Sequence, residues 1–522
     1  MSHDQGRPRL AELLAALSLA TDLGLGQPME HVMRSCLISM RLAQRLGMSD
    51  EERAEVYYVA LLAWVVGCMA DSTETSTWFG DDIAMRGDAA WVDDAPLPML
   101  WFLIRRAGAG SSPLRRARLM ATLMADGWWI RQSMAASCQV TSRLAEQLGL
   151  GDRVRRSLTH VFARWDGRGV PEGLEGEAID LSVRLLQLAD LVVMVHRVGG
   201  VEAAVDVAEE RRGSYLDPTL VDEFARAAQD LLPGLVPEST WDEVIDSEPA
   251  LTAPLTDPGL DVALESIADF TDLKSVYFSG HSRGVADLAA AAGRHAGLPG
   301  KDVVSLRRAG LLHDVGRSGV PNTIWDKPEP LSASERERAR LHVYYTERIL
   351  ARIPTLARAG AIAAAHHERI DGSGYHRGVS GGAIGAGARL LAAADAYQAM
   401  TQRRPHRPAL AEERAAAELR AEVRSGRPAG DAVEAVLDAT GHARPRRPTM
   451  TAGLTPREVE VLTLLGSGAT NREIAARLGI AAKTVGNHVE HVYTKIGVST
   501  RPGATLFAVQ HGLLDGTEPL GR

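Results

Sequence analysis

Histidine and aspartate recur along residues 281–395 in an order that could hold metal. They are His281, the pair His313 and Asp314, His342, the pair His366 and His367, then Asp395. Imidazoles and carboxylates are the donors that bind divalent iron, manganese or zinc. Seven donors are too many for one tetrahedral zinc ion, but they suit two ions that share a carboxylate. Adjacent side chains such as His313 and Asp314 can serve neighbouring ions only if these lie close together, so Asp314 is the natural bridge. A lone histidine in such a chain is a surface or satisfied core residue; five histidines and two aspartates in this order point to a metal site. The three cysteines, Cys36, Cys68 and Cys138, can form neither a disulfide framework nor a four-thiolate zinc site.

The elements that must carry these residues read as helices. The chain is rich in Ala, Leu, Arg and Glu, and apolar residues recur at helical spacing, as in Met29, Val32, Met33, Cys36, Met40 and Ala43. No series of alternating strands is visible, so the expected fold class is all-α. At 522 residues, several domains are expected. Two Pro-containing, weakly patterned stretches, 246–258 and 442–452, mark candidate linkers. They divide the chain into 1–245, 259–441 and a tail at 453–514. The 15-residue uncharged run Val56–Ala70 is too short to span a membrane. The N-terminus has no signal-peptide pattern, and a reducing cytoplasm is the expected compartment. The net charge of −8 divides unevenly, with ten basic and six acidic residues from His442 to Arg522 and a strongly acidic remainder. That split is either ordinary scatter or a basic tail that meets nucleic acid.

The first two segments repeat each other. GVPEGLEGEAIDLSVRLLQLAD (Gly169–Asp190) aligns without gaps on GYHRGVSGGAIGAGARLLAAAD (Gly374–Asp395), and RWDGRG just before the first matches RIDGSG before the second. Farther upstream, PMEHVMRSCLISMRLA resembles YFSGHSRGVADLAAAA and pairs His31 with His281. The offset changes from 205 to 250, so the first copy carries about 45 extra residues within 71–130. In that copy Ala63 and Trp64 replace His313 and Asp314, Ser137 replaces His342, and Val161 and Phe162 replace the histidine pair. Only His31 and Asp190 remain, so this copy is expected to be metal-free. Three roles are open to it: dimerisation, small-molecule sensing through the insertion with Trp78, Trp91, Trp101, Trp128 and Trp129, or a structural lid. The tryptophans could equally fill a repacked core.

SGHSRGVADLA, LLHDVGR, the His342 region, HHERIDGSGY and ARLLAAADAYQAM resemble the HD-GYP branch of the HD phosphohydrolases, over residues 259–441. The resemblance implies a helical bundle with a metal centre that hydrolyses cyclic di-GMP. By position it makes His281, His313, Asp314, His342, His366, His367 and Asp395 ligands, Asp314 and Arg317 catalytic, and Arg404, Arg407 and Tyr375 substrate-binding. It departs from the family where Arg317 replaces a lysine, His376 a proline and Gln398 an acidic residue. Tyr277 stands where some members place a glutamate for a third metal, so two ions are expected, iron or manganese before zinc. Turnover of a phosphodiester and ligand sensing without turnover both fit this pattern.

The tail carries explicit helix punctuation. Thr455-Pro-Arg-Glu458 and Thr470-Asn-Arg-Glu473 are capping boxes, and Gly479 turns the chain into a third helix from Ala482 to Ile496. Capped helix, glycine turn, helix is the pattern of a helix-turn-helix. LTPREVEVL, NREIAARL, KTVGNHV, KIGV and Arg501 resemble the LuxR-type DNA-binding domain. The resemblance implies that Ala482–Ile496 lies in the major groove of double-stranded DNA, bound as a homodimer. Lys483, Thr484 and His488 would then face phosphates, and Asn487 and Glu490 base edges. Lys495 would steady the helix on the backbone. The expectation is a transcription regulator of two tandem HD-type bundles and a helix-turn-helix. The alternatives are a non-catalytic metal- or nucleotide-sensing transcription factor, and a phosphodiesterase whose DNA-binding tail is accessory.

Overall fold

The computed structural model describes residues 7–511 and 513, except 66, 68, 70, 93–95, 109–111, 126–127, 236, 250–252 and 443–450. Most of the 442–452 linker, Leu514 and the side chains of Trp128 and Trp129 thus lie outside the described residues. The described residues hold helices and no strand. They divide into two compact units, 1–442 and 443–522.

In the larger unit the repeat is visible element by element. His31–Arg45 packs on Asp50–Leu62 and Leu181–Glu210; His281–His295 packs likewise on Gly300–Leu312 and Ala386–Thr401. Each of the two leading helices opens after a left-handed residue, Glu30 at φ +76° and Gly280 at φ +68°. Neither of these supplies a side-chain cap. Instead a buried carboxylate ten residues before the second helical residue accepts its N–H: Asp22 from Val32, and Asp272 from Ser282, both at 3.0 Å. The orphan N–H groups of a helix start are thereby met from a neighbouring helix. The offset break is filled by the helices Ser72–Phe79, Asp82–Ala89, Pro96–Arg106 and Pro113–Ala125.

The two halves share one hydrophobic core. Leu10–Gly24 is buried almost all round, as a helix inside a core must be. It packs on the Val315–Gly319 turn and on Ala333–Leu350, the elements that flank His313, Asp314 and His342. The insertion adds a polar joint. Lys274 and Asp82 are both fully buried and lie 2.7 Å apart. Asp82 also accepts from the Asn322 backbone N–H at 2.8 Å and from Arg86 at 2.9 Å. Of the insertion's tryptophans, Trp91 and Trp101 are 48% and 66% exposed, so they do not fill a core. No helix among the described residues is long and apolar enough to cross a membrane.

Removing one member of a buried ion pair leaves the other charge stranded. Asp82→Ala should therefore cost about 3–5 kcal/mol in urea unfolding followed by circular dichroism. Joint replacement by Asp82→Leu and Lys274→Met should cost clearly less, and equal losses would contradict the burial of the pair.

Candidate metal centre

The predicted donors arrive from five separate helices or their ends. His281 opens His281–His295, His313 closes Gly300–Leu312, and Asp314 precedes the Val315–Gly319 turn. His342 sits within Ala333–Leu350, His366 and His367 follow Ala357–Ala363, and Asp395 lies on Ala386–Thr401. Gly316 makes the crossing possible. A Cβ there would stand 2.2 Å from the His342 carbonyl oxygen and 2.5 Å from the Thr346 nitrogen. The Gly316 N–H donates to Thr346 Oγ1 at 3.0 Å, and that hydroxyl donates to the His313 carbonyl at 3.1 Å.

Asp314 is the centre of the cluster. Its Oδ2 faces His313 Nε2 at 2.7 Å and His281 Nε2 at 3.7 Å. Its Oδ1 faces His342 Nε2 at 3.4 Å and His366 Nε2 at 3.7 Å. Asp395 Oδ1 lies 3.1 Å from His281 Nε2 and 3.9 Å from His313 Nε2. Three overlapping trios bring their donor atoms within 4.8 Å of one another: His281, His313 and Asp395; His313, Asp314 and His366; and His342, His366 and His367.

The far side of each ring fixes its tautomer. The Nδ1–H groups of His313, His342 and His366 donate to the carbonyls of Gly310, Ala339 and Ala363 at 2.7, 2.5 and 2.7 Å. His281 Nδ1 donates to Gln402 Oε1 at 2.9 Å. The Nε2 lone pairs therefore point inward. The four Nε2 atoms and both Asp314 oxygens are buried, and what they meet is one another, Asp395 and Arg317. Such a set is costly as a dry core and apt as a ligand set, because it fits the usual arrangement of outer partners around metal-bound imidazole. Burial lowers the pKa of His281 to about 4 and of His342 to about 3, so both rings are neutral at neutral pH, as ligation requires. For Asp314 burial acts the other way, but the Arg317 guanidinium and His313 outweigh it and hold the carboxyl well below its ordinary range.

The other predicted residues divide. Arg317 is buried, forms an ion pair with Asp314, and stacks 4.0 Å from the Phe278 ring centre. Its Nε and Nη1 have no partner. Arg404 is 9% exposed, stacks over Phe278 and donates to the Tyr277 carbonyl. Tyr375 is half-buried with its ring centre 4.9 Å from that of His367. Arg407 is not brought to the cluster: its guanidinium serves the carbonyls of Ala399, Met400, Gln402 and Pro408. His376 is tied to Glu347 at 2.6 Å. Gln402 and Thr346, which orient the cluster, carry no sequence signal of their own. A 300 Å³ cavity lined by Val276, Tyr277, Ser279, Gln402 and Arg403 opens beside His281. A larger one of 740 Å³ is lined by none of the seven donors.

In the smaller unit, Pro456–Gly466, Asn471–Leu478 and Ala482–Ile496 pack around Leu454, Val461, Leu462, Ile474, Val485 and Val492. Both expected capping boxes form, and Ala481 makes no side-chain cap. Gly479 and Gly497 end their helices in the left-handed region. Lys483, Thr484, Asn487 and Glu490 are exposed on the third helix and His488 is half-buried. Lys495 reaches inward to Glu458 Oε2 at 2.7 Å.

Residues 265–427 match the family model described as HD domain, and residues 452–508 match bacterial regulatory proteins, luxR family. Over 415 residues the chain is 30% identical to the 3'3'-cGAMP-specific phosphodiesterase 3 of Vibrio cholerae, covering 78% of this chain and 90% of that protein. A match of that length must include part of the N-terminal half. Shorter matches link the chain to the 3'3'-cGAMP-specific phosphodiesterase 1 of V. cholerae, at 35% over 31% of this chain and 37% of that protein. The cyclic di-GMP phosphodiesterase of Thermotoga maritima is 34% identical over 28% of this chain and 39% of its own. The crystal structure of a cyclic GMP-AMP specific phosphodiesterase of V. cholerae superposes with a TM-score of 0.58 at 26% identity, over 84% of this chain and 99% of that one.

The smaller unit yields a test in pH. Burial would raise the Glu458 pKa, but Lys495 and the Thr455 cap overcome it and lower the carboxyl from 4.5 to about 2. Its stabilisation is thus complete above about pH 5 and lost as pH falls through 4.5 towards 2. Thermal melts of the second unit should show that loss, and Glu458→Gln should flatten it while lowering stability at pH 7 by about 1–2 kcal/mol.

Proposed function

The chain belongs to the HD-GYP phosphodiesterases and carries a luxR-type DNA-binding domain, and from that premise we propose that residues 259–441 hydrolyse a 3′,3′-linked cyclic dinucleotide at a dinuclear centre. The observation that carries the proposal is the split of Asp314, with one oxygen towards His281 and His313 and the other towards His342 and His366. His281, His313, Asp314 and Asp395 would hold one cation, and His342, His366, His367 and Asp314 the other. Mixed imidazole and carboxylate donors in this number favour iron or manganese over tetrahedral zinc. Bound there, the two cations would supply a water of near-neutral pKa and neutralise charge on the phosphoryl oxygens.

The remaining steps belong to the chain's own side chains. Arg404 and the unpaired edge of Arg317 present planar forks to phosphate oxygens. Tyr375 offers a half-exposed aromatic edge to a nucleobase. Arg407 acts as a positioning residue: it clamps the end of Ala386–Thr401 and exchanges backbone hydrogen bonds with Arg404. Lys483, Thr484, Asn487, His488 and Glu490 contact DNA as part of a dimer, and Lys495 supports their helix from behind. The product is a transcription regulator in the cytoplasm whose DNA binding answers to the nucleotide. The ion pair between Arg317 and Asp314 favours a second reading, a metal- and nucleotide-binding sensor without turnover.

The test is to load the full chain with manganese or iron and to assay cyclic GMP-AMP and cyclic di-GMP beside His313→Ala/Asp314→Ala. About two ions per chain and turnover of one substrate are expected, with both lost in the variant. Fewer than one ion per chain would refute the dinuclear centre, and metal without turnover would select the sensor. On duplexes selected from random sequence, Lys483→Ala should lower affinity uniformly and reduce the salt slope by about one. Asn487→Ala should relax the preferred sequence at a cost of about 1–3 kcal/mol. Unchanged binding in both would exclude Ala482–Ile496 as the recognition helix.

A further inference from the structure

The first half has a 340 Å³ cavity where the second half has its histidine cluster. His31, Trp64, Ser137, Phe162 and Asp190 line it, and these are the repeat equivalents of His281, Asp314, His342, His367 and Asp395. Apart from His31 and Asp190 the donors are gone, yet the space has not packed shut as a close-packed interior would. Phe79, Met85 and Leu103 from the insertion complete an apolar wall.

The polar part of the lining is specific. His31 is 4% exposed, and its Nδ1 has no hydrogen-bond partner; the buried Trp64 Nε1 has none either. The charged groups of the lining are matched among themselves. His31 Nε2 lies 3.0 Å from Asp190, and Arg86 lies 2.5 Å from Asp71. A dianionic cyclic dinucleotide would meet two carboxylates here and no cation without a carboxylate partner. A neutral ring with one acceptor would meet apolar walls and the Trp64 N–H. Small-ligand sites combine these features, a concave apolar wall and a few polar groups that fix orientation.

We propose that this cavity binds a compact, neutral aromatic molecule bearing a hydrogen-bond acceptor, and that the metal-binding half senses its occupancy. The link is a chain of buried polar contacts. Arg86 lines the cavity and bonds Asp82 at 2.9 Å. Asp82 holds Lys274 and the Asn322 N–H. Asn322–Trp325 places the Trp325 ring 5.6 Å from that of His342 and 5.7 Å from the Arg317 guanidinium. An occupant that moves Arg86 thus acts on the wall of the cluster.

Quinoline serves as the probe and indole as the donor-only control, with the full metal-free chain and no turnover assay. Failure here is therefore separable from failure of hydrolysis. Titration calorimetry should give one saturable quinoline site per chain. Ser137→Phe, which fills the cavity, should weaken it at least roughly tenfold at an unchanged melting temperature. Trp64→Phe should weaken quinoline by roughly fivefold and leave indole unaffected, which keeps the test decisive if Ser137→Phe fails to fold. Hydrogen exchange of the Asn322–Trp325 amides should slow on binding in the parent chain and not in Ser137→Phe. Absence of saturable binding, equal affinity in Ser137→Phe, or displacement of quinoline by a cyclic dinucleotide would overturn the site or its ligand class. Unchanged exchange at Asn322–Trp325 would overturn the link.

Discussion

A carboxylate with no solvent exposure, Asp314, is the constraint around which the larger unit is arranged. An ionised carboxylate in a protein interior is costly unless cations or donors surround it. Here Arg317 supplies one cation, while four imidazoles, each held from behind by a hydrogen bond, turn Nε2 towards the carboxylates, an arrangement that bound cations would complete. The backbone has to follow. Gly316 lets the turn after Asp314 press against the helix of His342, and Thr346 locks the two together by accepting one bond and donating another. The N-terminal helix Leu10–Gly24 then seals the same turn, so the first half of the chain is part of the support for a site in the second.

The duplication shows how little of that frame depends on the donors. Both copies keep the left-handed entry, the carboxylate ten residues upstream and the packing of the leading helix on the same two neighbours. What differs is the lining. With Trp64 at the position of Asp314, the first copy lacks the central carboxylate, and His31 pairs with Asp190. Apolar replacements relieve the electrostatic cost of the cluster without requiring the helices to move. The frame and the chemistry are separable, which is why one fold can carry a metal-type cluster in one half and a largely apolar cavity in the other.

The donors were legible in the sequence because histidines and aspartates at fixed places in Ala-rich helices have no packing reason to be there. The helix-turn-helix was legible because its caps are local: Thr455, Thr470 and Gly479 act within three or four residues. Partners far apart in sequence were not. Nothing in the chain links Asp82 to Lys274, 192 residues away, or His281 to Gln402, 121 residues away. Spacing also fails to say where a long side chain turns, so Arg407 reads like Arg404 but serves the end of a helix instead of the cluster. A proline-rich boundary likewise gives no sign that the segments on either side share one core.

Charge shows how an acidic body could receive an anion. The larger unit is net negative, and its cluster contains Asp314 and Asp395 against Arg317 and Arg404, with His281 and His342 neutral at pH 7. Without cations these carboxylates and guanidinium groups balance, and an anion gains little from approaching. Two divalent ions would shift the local balance strongly positive, because bound cations are the largest charges in such a site. Attraction for an anion would then follow metal occupancy rather than the surface average. The basic tail works by the opposite rule. Lys483 stays exposed on Ala482–Ile496, and Lys495, also exposed, pairs with the buried Glu458 and so holds the helix in place.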